Sequence, residues 1–72
     1  MERINTPADI GLAVRRARRI AGLRQNDLAR LAGVGTRFLI ELEAGKPTVR
    51  LDKLLAVLAT LGIDLHVDGA PG

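Results

Sequence analysis

The chain has 72 residues, room for one domain and no more. It is 47% hydrophobic, with Phe38 its only aromatic residue, and it has no cysteine. Disulfides are therefore excluded, and dense helix packing or oligomerisation must supply the stability of so small a unit. The net charge of +3 is unevenly spread: residues 1–50 hold ten of the eleven basic and five of the eight acidic residues, a net +5, and the last 22 hold one and three, a net −2. A basic front suits a polyanionic partner. No stretch approaches the about 20 apolar residues of a membrane span. Residues 1–9 lack the apolar run of a signal peptide. A cytoplasmic protein is expected.

Thr6-Pro7-Ala8-Asp9 predicts a helix start, with Thr6 as cap, Pro7 in the first turn and Asp9 three residues on as in a capping box. Ile10, Val14, Ala17 and Ala21 then recur at helical spacing, with Arg15, Arg16 and Arg19 on the other face, and Gly22 ends the helix. A second helix is expected over 25–32, with Leu28, Leu31 and Ala32 inward and Asp27 favouring its N-terminal dipole. Gly33 stops it, and Val34 plugs the core beneath a Gly-Val-Gly turn. The third helix is expected over 36–44 with Phe38, Leu39 and Leu42 inward, closed by Gly45.

Pro47 biases Lys46 away from helical geometry. A fourth helix follows from 51 or 52 to 61, with Leu51, Leu54, Leu55, Val57, Leu58, Ala59 and Leu61 apolar on more than one side. In so short a chain, that second surface suggests another subunit. After Gly62, residues 63–68 alternate apolar and polar at period two, a strand pattern with no visible partner strand. Pairing with the same strand of a second copy would satisfy its backbone. The expected dimerisation residues are Val57, Leu61, Ile63, Leu65 and Val67.

No enzyme motif is present. Glu41 and Glu43 stand two apart on a helix and so cannot share one site. No cofactor and no metal site is expected; His66 between Asp64 and Asp68 reads as a solvated face. The segment 24–44 has the form of a helix-turn-helix whose second helix could enter the DNA major groove. Small and polar residues open that helix. Arg37 could make a bidentate contact to guanine and Thr36 a hydrogen bond to base or phosphate. Gln25 could meet a phosphate at the start of the preceding helix. Arg24, Lys46 and Arg50 lie where charges that position the backbone would sit.

Residues 11–62 resemble the Xre-type helix-turn-helix family. The resemblance is carried by Val14-Arg15-Arg16-Ala17-Arg18-Arg19, Gly22-Leu23-Arg24-Gln25-Asn26-Asp27-Leu28-Ala29, Leu31-Ala32-Gly33-Val34, Leu39, Leu42-Glu43 and Gly45-Lys46. Within that family, residues 45–52 and the terminal alternating segment look more like the HipB/Y4mF-type antitoxins. The resemblance implies an all-α, lambda-repressor-like domain of four helices over 1–72, with a C-terminal strand over 63–68 pairing across a homodimer. It implies that Gln25 contacts phosphate, that Gly35, Thr36, Arg37, Ile40 and Glu41 face the bases, and that Arg18 and Glu43 form a structural salt bridge. It also implies double-stranded operator DNA and a HipA-like kinase toxin as partners, and repression of the chain's own operon.

The sequence departs from the family pattern at three positions. Arg24 replaces a capping Ser or Thr, Gly35 supplies no side-chain acceptor, and Ile40 is apolar where base readers are polar, although it could touch a thymine methyl. A stand-alone repressor and a protein-interaction module without DNA binding remain alternatives.

Overall fold

The computed structural model describes residues 3–66 and 69. Helix α1 spans Pro7–Ile20 and starts as the sequence predicts. The Thr6 hydroxyl accepts the Asp9 N–H at 3.1 Å, and the Asp9 carboxylate accepts the Asn5 and Thr6 N–H groups at 2.9 and 3.1 Å. These bonds hold the Asp9 carboxyl below its ordinary pKa, the Asn5 N–H contributing most. Helix α2 spans Gln25–Ala32, α3 Thr36–Glu43 and α4 Leu51–Thr60. Among the described residues there is no strand. Residues 63–66 are irregular, and the expected strand runs on into residues 67 and 68, which lie outside the described residues.

A glycine stops α2 for a steric reason. Gly33 has φ +73°, a conformation that costs a side-chain-bearing residue about 1–2 kcal/mol. That turn lets the Val34 N–H reach back to the Ala29 carbonyl at 2.9 Å, satisfying an end group of the helix. The same backward bond follows Gly22, Gly45 and Gly62, from Leu23 to Arg18, from Lys46 to Glu41 and from Ile63 to Leu58. All four predicted helix stops therefore hold.

The core draws on every helix: Val14 from α1, Leu28 and Ala29 from α2, Leu39 and Leu42 from α3, and Leu54, Val57 and Leu58 from α4. Each fully buried Val or Leu contributes about 1.5–3 kcal/mol over its exposed state. Ile10, Ala32, Val34 and Phe38 pack against this cluster half-buried, so Val34 does lie beneath the turn. Helix α1 lies against α3, and α2 lies between α3 and α4. Gly11 permits the first contact. A Cβ there would sit 2.5 Å from the Leu42 carbonyl oxygen and 2.7 Å from that of Glu43.

Several expected inward positions are corrected. Leu31 is 63% exposed. It lies roughly 110° around the helix from the middle of the stripe of Leu28, Ala29 and Ala32, and none of the described residues encloses it. Ala29, the missed core residue, is buried in its place. Ala21 is exposed because α1 ends at Ile20. On α4, by contrast, Leu51 and Leu55 form an exposed second apolar surface, as expected, beside an inner face of Leu54, Val57 and Leu58. Val57 is 0% exposed, so it offers no surface to a second copy: the chain's own core takes it up. Leu61 and Ile63 also pack against that core, half-buried, while Leu65 is exposed; Val67 lies outside the described residues.

Candidate nucleic-acid interface

The orientation of α3 is fixed from its C-terminal end. Arg18 of α1 donates from Nε and Nη2 to the two Glu43 oxygens at 2.7 and 3.0 Å, and from Nη1 to the Leu23 carbonyl at 2.9 Å. The two side chains are only 11% and 5% exposed. A charge so placed requires its counter-charge, and the fork of hydrogen bonds to Glu43 raises the Arg18 pKa further above its already high ordinary value. The expected salt bridge is therefore present, and it joins α1, the α1–α2 turn and α3 in one unit.

Gln25 completes that unit, which the sequence did not signal. Its amide Nε2 donates to Glu43 Oε1 at 3.2 Å, tying the start of α2 to the end of α3. Gln25 is half-buried rather than fully free. Arg15, Arg18, Gln25, Ile40, Glu43 and Ala44 line one shallow polar hollow at the junction of these helices. The sequence pattern puts Arg15 on the outer face of α1; its place in the hollow with Gln25 depends on how α1 crosses α3, which no local pattern encodes.

The start of α2 is held by a carboxylate instead of a hydroxyl. Arg24 precedes the helix, and its side chain has no acceptor to offer. Asp27 reaches back and accepts the Arg24 N–H at 3.2 Å and its Nε at 3.3 Å. These contacts, the backbone one first, hold the Asp27 carboxyl below its ordinary pKa. Arg30 adds a contact to Asp27 at 3.1 Å. Gly35 precedes α3 with φ −73° and ψ 149°, and no side chain caps that end, as expected.

The outward face of α3 presents Thr36 half-buried, Arg37 92% exposed, Ile40 47% exposed and Glu41 39% exposed. Lys46 Nζ lies 2.9 Å from Glu41 Oε2, and Arg37 Nε lies 4.0 Å from Oε1. The Lys46 contact is the main cause of a lowered Glu41 pKa. Glu41 and Glu43 thus point to different partners, as their spacing required. At the head of α4, Arg50 makes two bonds to Asp52 at 3.1 and 2.7 Å, and these lower the Asp52 pKa. The structure thus gathers Gly35, Thr36, Arg37, Ile40, Glu41 and Lys46 around α3. Arg24 and Gln25 stand at the head of α2, and Arg50 at the head of α4. Among the described residues no group of His, Cys, Asp or Glu could hold a metal ion, and no helix is long and apolar enough to cross a membrane.

Two short helices joined by a glycine turn, the second locked by a buried ion pair and open at its first turn, form a helix-turn-helix. A family model described as Helix-turn-helix matches residues 14–67. The chain belongs to the Xre-type helix-turn-helix family of DNA-binding transcriptional regulators. Over 71 residues it is 55% identical to the HTH-type transcriptional regulator y4mF of Sinorhizobium fredii (strain NBRC 101917 / NGR234), covering 99% of this chain and 92% of that one. Among solved structures, a HipB–O4 20mer complex matches with a TM-score of 0.86 at 20% identity, over 99% of this chain and 100% of the other. A HipA–HipB–O2–O3 complex matches with a TM-score of 0.86 at 18% identity, again over 99% and 100%. These two likenesses establish the shared four-helix fold.

Proposed function

We propose that this chain is a sequence-specific transcriptional repressor that works as a homodimer, and that it is the antitoxin of a HipA-like kinase toxin whose operon it represses. The observation that carries the DNA reading is the opening of α3. Arg37 is the most exposed of the paired cations on a helix whose tilt is fixed by the buried Arg18–Glu43 pair. With α3 in the major groove, Thr36 and Arg37 reach base edges and Ile40 meets a thymine methyl. Arg24, Gln25, Lys46 and Arg50 set the register on the phosphates.

The antitoxin reading is supported by likeness along the whole chain. The matching folds are those of HipB in a HipB–O4 20mer complex and in a HipA–HipB–O2–O3 complex. The dimer reading is supported by the exposed Leu65 and by the apolar Leu51 and Leu55 left uncovered on α4. Two copies of α3 would then read half-sites about 34–36 Å apart.

Two measurements test this. Arg37→Ala should abolish specific binding to the chain's own promoter in an anisotropy titration while leaving the dimer intact; unchanged affinity would refute the reading of α3. Co-expression with the neighbouring open reading frame should co-purify a kinase-like protein. A chain that binds its promoter but retains no such partner would be a stand-alone repressor.

A further inference from the structure

Each of the four cations expected at the DNA face is already held by a carboxylate of the same chain. Arg24 lies 3.3 Å from Asp27, Arg37 4.0 Å and Lys46 2.9 Å from Glu41, and Arg50 2.7 Å from Asp52. With Arg30, which also meets Asp27 at 3.1 Å, five positive and three negative side chains leave these paired groups a net +2, less than their arginines suggest. Asp27 and Glu41 each engage two cations, Asp27 meeting Arg30 as well as Arg24, but only Glu41 stands on α3, where it meets Arg37 of its own helix and Lys46 across the turn at Gly45. The other carboxylate of α3, Glu43, is turned inward to Arg18 and Gln25, so Glu41 alone puts negative charge on the outward face of α3.

A phosphate approaching α3 must compete with Glu41 for both cations. Exposed pairs of this kind are weak, so the exchange is reversible and comes out close to balanced. On arbitrary duplex DNA nothing further compensates. On a cognate site the freed carboxylate needs a donor, and the major groove offers cytosine N4 or adenine N6 amino groups. We propose that Glu41 is a specificity-determining residue: it occupies Lys46 and Arg37 in place of phosphate, suppresses binding to arbitrary DNA, and releases them only where a base amino group replaces them. The proposal rests on the DNA-binding reading above, and its failure is distinguishable from the failure of that reading.

The test is fluorescence anisotropy of the full chain against its own promoter duplex and a scrambled duplex of equal composition, between about 50 and 300 mM salt. Glu41→Gln should bind the scrambled duplex roughly fivefold tighter, with a log–log salt slope steeper by about 0.9 per freed cation. Promoter affinity should rise less, so the ratio of promoter to scrambled affinity falls. Lys46→Met should cost about three times more scrambled-duplex affinity in the Glu41→Gln background than in the wild type. Scrambled-duplex affinity unchanged or weakened by Glu41→Gln overturns the proposal. So does an equal cost of Lys46→Met in both backgrounds, which assigns the gain to net charge alone. A wild-type chain that binds neither duplex with salt dependence refutes the DNA reading, and the proposal with it.

Discussion

Replacing Arg18 with Met tests whether α1 and α3 are joined by a desolvated charge pair or by packing alone. In Arg18→Met the Glu43 carboxylate loses bonds of 2.7 and 3.0 Å and keeps the Gln25 amide at 3.2 Å. The Leu23 carbonyl loses its side-chain donor at 2.9 Å. Glu43 is 5% exposed, so water replaces little of this. Orphaning one member of a buried pair costs about 3–5 kcal/mol. A domain of this length has only about 4–11 kcal/mol in all, at roughly 0.05–0.15 kcal/mol per residue. With an m-value near 1 kcal/mol/M, the urea midpoint should fall by about 3–5 M. The assay is equilibrium urea unfolding followed by circular dichroism at one protein concentration, since association adds to apparent stability. The double variant Arg18→Met/Glu43→Leu removes both charges and should recover most of the loss. A single-variant loss under about 1 kcal/mol, or a double variant no more stable than the single, would refute the reasoning.

The helix start offers a smaller effect: Thr6→Ala removes the acceptor for the Asp9 N–H, should cost about 1 kcal/mol, and is refuted by an unchanged thermal midpoint. Acid should act through the same cap. A carboxyl whose folded pKa lies below the ordinary 3.8 contributes stability that is present above that value and lost as pH falls through the folded one. Stability should therefore decline below about pH 4, and Asp9→Asn should flatten the decline in urea midpoints across that range; an identical acid limb in the variant would contradict it. Gly11→Ala places a Cβ 2.5 Å from a backbone carbonyl oxygen, so it should cost about 1–3 kcal/mol in urea unfolding, and an unaltered midpoint would show that α1 can shift freely. Deleting residues 63–72, or the milder Leu65→Asp, should weaken the proposed homodimer; an unchanged association state by ultracentrifugation would refute the role proposed for this segment.

The elements that local chemistry controls were legible in the sequence. Thr6, Pro7 and Asp9 write a helix start within four residues, and Gly22, Gly33, Gly45 and Gly62 write the stops, because φ near +70° to +86° excludes most other residues. The Arg18–Glu43 pair was legible only through the family resemblance, since 25 residues separate its partners. What depends on how helices cross was not legible. Leu31 and Val57 are both apolar, yet one is exposed and the other fully enclosed. Side-chain type cannot separate them; which stripe of each helix is covered depends on how α2 and α4 pack against their neighbours. Gly11 carried a faint signal, a glycine inside a helix where Ala would form a better one, and close approach to the α3 carbonyls explains it.

The two glutamates of α3 show why stability and recognition can share one short helix. They stand two residues apart, about 200° around the axis. Glu43 is therefore committed to Arg18 and Gln25 in a nearly closed site, where the loss of its bonds would be felt in the joining of α1, α2 and α3. Glu41 meets Lys46 and Arg37 at the surface, where pairs form and break at small cost. The inner pair can set the tilt of α3 because its side chains are enclosed. The outer pairs are exposed, which is what the proposed response to DNA sequence requires. Exchanging their environments, by exposing Glu43 or burying Glu41, would remove both properties at once. This predicts that substitutions at position 43 act on unfolding midpoints, and those at position 41 on salt-dependent DNA affinity.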